Sequence, residues 1–182
     1  MLKAYLFLSM ITILITIISF FIEINYPFIN ESLEVNIVGI FIFRFMHLLV
    51  GIFLLTFMFL FEANSLDGLI YLIVAISVAI SSELCGYCIL SYYELKMYEN
   101  LNYCTNFHPC TFVFFREYHE LPLAIMGIVL FFTFYYILFK IKMLVCYKLL
   151  IGFIFSYLFC NNIVKVQYTN DKKYSDSTNI LI

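Results

Sequence analysis

The chain has 182 residues, of which 64% are hydrophobic and 12% charged, with a mean hydropathy of +1.00. Soluble domains average about 45–50% apolar and about 25% charged residues, so this composition excludes a soluble globular domain and a disordered tail. The net charge of −2 provides no basic stripe for nucleic acid, and no nucleic-acid partner is expected.

Five apolar runs each approach the roughly 20 residues that a helix needs to cross a bilayer. The first covers about 5–22, preceded by Lys3. It is followed by Glu23, Ile24, Asn25, Tyr26 and Pro27 with no small-x-small cleavage site, so it reads as a retained signal anchor. The second covers about 37–61, the third about 69–92, the fourth about 121–139 and the fifth about 144–164. The runs are apolar all round, not alternating as barrel strands would be. They are therefore read as helices that satisfy their own backbone groups. The expected fold is all-α: a multi-pass transmembrane bundle of four to five spans over residues 1–167, in contact with the lipid bilayer, with a polar, frayed tail at 168–182.

Lys140, Lys142 and Lys148 mark the turn between spans four and five as cytoplasmic under the positive-inside rule. Counting back, loop 93–120 faces the external, oxidising side, and so does the acidic loop 23–36 with Glu23, Glu31 and Glu34. Asn30-Glu31-Ser32 in that loop is a glycosylation sequon, a short motif that often occurs by chance. A half-inserted fifth segment would instead give four spans and place the lysine-bearing tail inside.

The chemistry-bearing residues cluster at the external end of span three. Of six cysteines, Cys85 and Cys88 form a C-x-x-C, and Cys104 and Cys110 form a C-x5-C in the following loop. Cys146 and Cys160 lie near or inside span five. A C-x-x-C on an oxidising face can act as a redox pair, in which one thiolate attacks a disulfide and the second resolves the mixed intermediate. Two structural disulfides pinning the loop fit an even cysteine count equally well. A zinc site drawing on Cys104, His108, Cys110 and His119 is a third option. Arg44 and His47 lie inside span two at i, i+3, on one helix face. An intramembrane charge is a functional hypothesis by default. The alternatives for Arg44 are snorkelling outward with a hydrogen-bonded core His47, pairing with Glu83, or facing a quinone or haem edge, haem being disfavoured because His108 and His119 both lie in the external loop. Arg116, Glu117, Tyr118, His119 and Glu120 read as a solvated rim.

Two stretches resemble known membrane thiol enzymes. Cys104-Thr-Asn-Phe-His-Pro-Cys110-Thr-Phe-Val113, followed by Leu121-Pro122-Leu-Ala-Ile-Met-Gly127, is similar to the loop of the vitamin K epoxide reductase family. Glu83-Leu-Cys85-Gly-Tyr-Cys88-Ile-Leu-Ser91 resembles that family's Cys-Pro-Tyr-Cys site and the Cys-x-x-Cys of DsbB-type enzymes. The resemblance covers residues 83–139; here the C-x-x-C comes first, and Ile89 to Tyr103 join the two pairs with no span between. It implies a thiol–disulfide oxidoreductase with Cys85, Cys88, Cys104 and Cys110 as catalytic residues. It also implies a quinone as electron acceptor and a thioredoxin-like redox protein as partner; Arg44 and His47, outside the matched stretch, are the intramembrane polar pair expected to face that quinone. The competing expectations are a non-enzymatic multi-pass protein, such as a viral or tetraspanin-like envelope component with a disulfide-pinned loop, and a small subunit of an organellar respiratory complex.

Overall fold

The computed structural model describes residues 2–24, 37–85, 89–97 and 120–178. These are helical and contain no strand. In chain order they form α1 (Leu2–Ile24), α2 (Ile37–Leu60), α3 (Leu66–Cys85), α4 (Ile89–Lys96), α5 (Glu120–Lys140) and α6 (Val145–Thr178). Among the described residues, α1, α2, α3 and the first half of α6 are each long and apolar enough to cross a bilayer, and α5 carries a shorter apolar stretch, Ala124–Lys140. The protein is a multi-pass membrane helix bundle.

The helices form because no water is available in hydrocarbon to satisfy free backbone groups. Even the hydroxyls on α1 follow this rule: Thr12, Thr16 and Ser19 are buried and bond back to the carbonyls of Leu8, Thr12 and Thr16. Large apolar side chains point outward along each spanning helix, including Phe7, Met10 and Leu14 on α1 and Phe153 and Tyr157 on α6. In a membrane these are lipid contacts.

The interior is assembled by close packing, since lipid tails are as apolar as the core and supply little driving force of their own. Phe57, Tyr71, Phe134, Ile137, Leu138 and Phe155 are almost wholly buried, and Ala75 and Ala79 let α3 approach its neighbours. Phe134 of α5 and Phe155 of α6 stack with ring centres 3.7 Å apart and planes 10° from parallel. The Tyr135 hydroxyl bonds the Gly152 carbonyl at 2.8 Å and meets the Ser156 hydroxyl, which joins the same two helices. Helix α1 packs chiefly on α2, and α3 packs on α5 and α6.

The α2–α3 connection is a tight, fully bonded turn. Ser65 N–H and Oγ–H both reach the Glu62 carbonyl, and Ser65 Oγ accepts from Asp67 N–H as an N-cap for α3. The buried Asp67 carboxylate accepts a 2.6 Å bond from the Tyr5 hydroxyl, which ties α1 to this end of the bundle.

Two boundaries differ from the sequence expectation. The third span is not one helix over 69–92. Helix α3 stops at Cys85, and the residues from Ile89 form the separate helix α4, which packs chiefly on α2. The contacts that hold α4 on α2 are set out below. At the other end, the segment read as a frayed tail from 168 continues α6 as far as Thr178. Neither Gly nor Pro interrupts residues 153–178. At about 1.5 Å per residue the 34-residue helix is about 51 Å long, so it outruns the roughly 30 Å hydrocarbon core.

Candidate functional site

The tight turn fixes which residues share a level in the bundle. Arg44 lies sixteen residues before Leu60, and Ser82 lies sixteen residues after Leu66. In an antiparallel hairpin this places Arg44 beside Ser82 and Glu83, at the end where α3 closes with Cys85. Arg44 is also seven residues from the start of α2, or about 10 Å along the axis at about 1.5 Å per residue.

The Arg44 side chain is 0% exposed and does not snorkel. Its Nε–H donates to Glu94 Oε1 at 2.8 Å, and the Glu94 side chain is only 2% exposed. The guanidinium carbon lies 4.8 Å from the centre of the Phe20 ring, so α1 provides an aromatic wall for the cation. Phe43 and Tyr93 stack 5.5 Å apart beside the ion pair. The snorkelling reading of Arg44 is thereby corrected: the cation is buried and paired with Glu94 of α4. The physical reason is burial: α1 covers one side of the guanidinium, and α4 supplies a carboxylate on another.

Glu94 can reach Arg44 only because α4 leaves the axis of α3. Continued straight, α3 would carry Glu94 about 18 Å past the level of Ser82 at about 1.5 Å per residue, well beyond an arginine's reach. The ion pair and the Phe43–Tyr93 stack hold α4 on α2 instead.

Glu83 belongs to a second polar contact at the same level. Its Oε1 accepts from Asn161 Nδ2 at 3.3 Å, and Asn162 Nδ2 donates to the Ala79 carbonyl at 3.2 Å. These amides join α6 to α3, as polar side chains do between membrane helices. His47 lies one turn beyond Arg44 on α2 and is partly buried. Arg44, His47, Glu83 and Glu94 thus gather at the end of the bundle where the C-x-x-C interval falls.

Of the four proposed redox cysteines, Cys85 is the last residue of α3, while Cys88, Cys104 and Cys110 lie outside the described residues. So do His108, His119 and the rim residues Arg116 and Glu117. Cys146 and Cys160 are free thiols exposed on α6. Among the described residues no three His, Cys, Asp or Glu side chains are grouped to hold a metal ion, and most of the suggested zinc ligands lie outside them.

Glu94 is the residue that the sequence reading missed. A signal for it existed: a lone carboxylate in the apolar run Ile89 to Leu95, in a chain with an intramembrane arginine that needs a counter-charge. No family model, curated protein or solved structure matches this chain.

Proposed function

We propose that this protein is a membrane thiol–disulfide oxidoreductase that passes electrons from loop cysteines to a quinone. The observation that carries the reading is the Arg44–Glu94 ion pair, buried within the membrane bundle and anchoring the helix that begins one residue after Cys88. Buried intramembrane charges are expensive and tend to mark functional sites. Here the pair fixes α4 against α2, so both ends of the C-x-x-C interval are tied to packed helices. Rigid supports of this kind are what a reactive pair requires.

In this scheme the Cys104–Cys110 disulfide takes two electrons from the dithiol of a thioredoxin-like partner. The resulting dithiol reduces the Cys85–Cys88 disulfide through a mixed disulfide. The Cys85–Cys88 dithiol then gives two electrons and two protons to a quinone, which leaves as quinol while the disulfide re-forms. The quinone supplies the electron chemistry and the protein supplies position. His47, which is partly buried, is assigned to its polar edge, with Arg44 held behind it in the pair with Glu94, and the cysteine loop 93–120 is assigned to the oxidising face.

The second reading is a non-enzymatic multi-pass protein with a disulfide-pinned loop. It is favoured by the same ion pair viewed as a staple, because Phe20, Arg44 and Glu94 join three helices. A trapping experiment separates the two. With Cys88→Ser, the resolving thiol is gone, and an enzyme accumulates a Cys85 cross-link to Cys104 or Cys110, visible by mass spectrometry of the digest. A structural protein yields only stable Cys104–Cys110 bridges or misfolded chain.

A further inference from the structure

The opposite end of the bundle carries a second polar feature, unrelated to the cysteines. A cavity of about 330 Å³ opens between the end of α2, the α2–α3 turn and the end of α5. That volume lies at the lower end of the range for small-molecule sites, about 300–1,000 Å³. Phe57, which is fully buried, and Phe61 form the apolar side, with their rings stacked 5.5 Å apart. Met58, Glu62, Ala63, Asn64, Tyr136 and Lys140 complete the lining.

Three properties of this cavity identify an occupant. The first is depth: it lies where α2 and α5 end and α3 begins, and the ends of apolar spans fall near the interface of a bilayer. The second is charge. Glu62 and Lys140 both face the cavity, from the turn and from α5, and the two make no ion pair with each other. Lys140 Nζ instead lies 5.7 Å from the Tyr136 ring centre. One anion and one cation are therefore held apart across a single space. The third is rigidity. Ser65 bonds to the Glu62 carbonyl and caps α3, so Glu62 and Asn64 are presented by a closed turn.

We propose that this cavity holds the headgroup of a zwitterionic phospholipid with a primary ammonium. The phosphate faces Lys140, the ammonium is accepted by the Glu62 carboxylate and the Asn64 side-chain carbonyl, and the glycerol end lies toward Phe61. An anionic headgroup would satisfy Lys140 but place its charge near Glu62. A choline headgroup has no N–H to donate to either acceptor.

The test uses the purified full chain in a mild detergent, titrated with the dihexanoyl forms of phosphatidylethanolamine, phosphatidylcholine and phosphatidylglycerol and followed by the shift in melting temperature. Phosphatidylethanolamine should saturate and bind about fivefold tighter than either other lipid, as expected for one partly exposed charge contact. Glu62→Gln should erase that preference, and Lys140→Gln should weaken all three lipids by about fivefold. Both residues are exposed, so the lipid-free melting temperatures should not change. Tighter binding of phosphatidylglycerol, equal binding of phosphatidylcholine, absence of saturation, or a preference that survives Glu62→Gln would each overturn the assignment.

Discussion

Replacing Glu94 with Gln removes the charge opposite Arg44 while keeping an acceptor of the same shape. With charge centres about 4 Å apart and an effective dielectric constant near 20, the lost attraction is about 4 kcal/mol. Breaking a buried pair by removing one partner typically costs about 3–5 kcal/mol, because the other charge stays buried. In a membrane the dissociated helix gives some of this back. Arg44 lies only about 10 Å from the start of α2, so once α1 and α4 release it the side chain can reach the interface. We expect Glu94→Gln to destabilise the bundle by about 2–4 kcal/mol. The double replacement Arg44→Leu, Glu94→Leu should return to within about 1 kcal/mol of wild type, since an apolar pair leaves no buried charge. Reversible unfolding in mixed micelles, titrated with a denaturing detergent, measures all three variants. A loss below about 0.5 kcal/mol for Glu94→Gln, or a double variant no better than the single one, would refute the buried-pair argument.

Two glycines give opposite expectations. A Cβ on Gly68 would fall 2.2 Å from the Ala63 carbonyl oxygen, whereas one on Gly51 meets nothing within 4 Å. Gly68→Ala should therefore cost about 1–3 kcal/mol as the turn shifts, and Gly51→Ala should be neutral or stabilise by up to about 1 kcal/mol; the same unfolding titration compares them. Tyr5→Phe removes the hydroxyl bonded to the buried Asp67 carboxylate and should cost about 1.5–3 kcal/mol, read as a lowered midpoint, while Tyr157→Phe on the lipid-exposed face should leave the midpoint unchanged.

The spans were legible in the sequence because a bilayer imposes a length and a polarity that 18 to 25 consecutive apolar residues announce. Arg44 was legible for the same reason, as a charge out of place in an apolar run. Its partner was not, because the contact joins residues 50 positions apart across a change of chain direction. Hydropathy runs on smoothly from Ile89 to Tyr92 and gives no sign that α4 leaves the axis of α3. Glu83 is the carboxylate that the sequence offers as a partner for Arg44, on the condition that spans two and three touch; in the folded bundle its Oε1 accepts from Asn161 of α6. Polar Asn161 and Asn162, near the end of the fifth apolar run, carry no periodic signal that would have foretold this.

The central proposal is electron transfer from cysteine thiols to a quinone, and it can be measured stoichiometrically. The purified protein is fully reduced, freed of reductant and mixed anaerobically with a soluble short-chain quinone, and quinol formation is followed by absorbance alongside thiol titration. The expected result is about two quinols per chain, with loss of the thiols of Cys85, Cys88, Cys104 and Cys110 while Cys146 and Cys160 stay reduced; Cys85→Ser should abolish quinol formation. An unreduced quinone beside a folded, fully thiol-bearing protein would contradict the oxidoreductase reading and leave the disulfide-pinned membrane protein in its place.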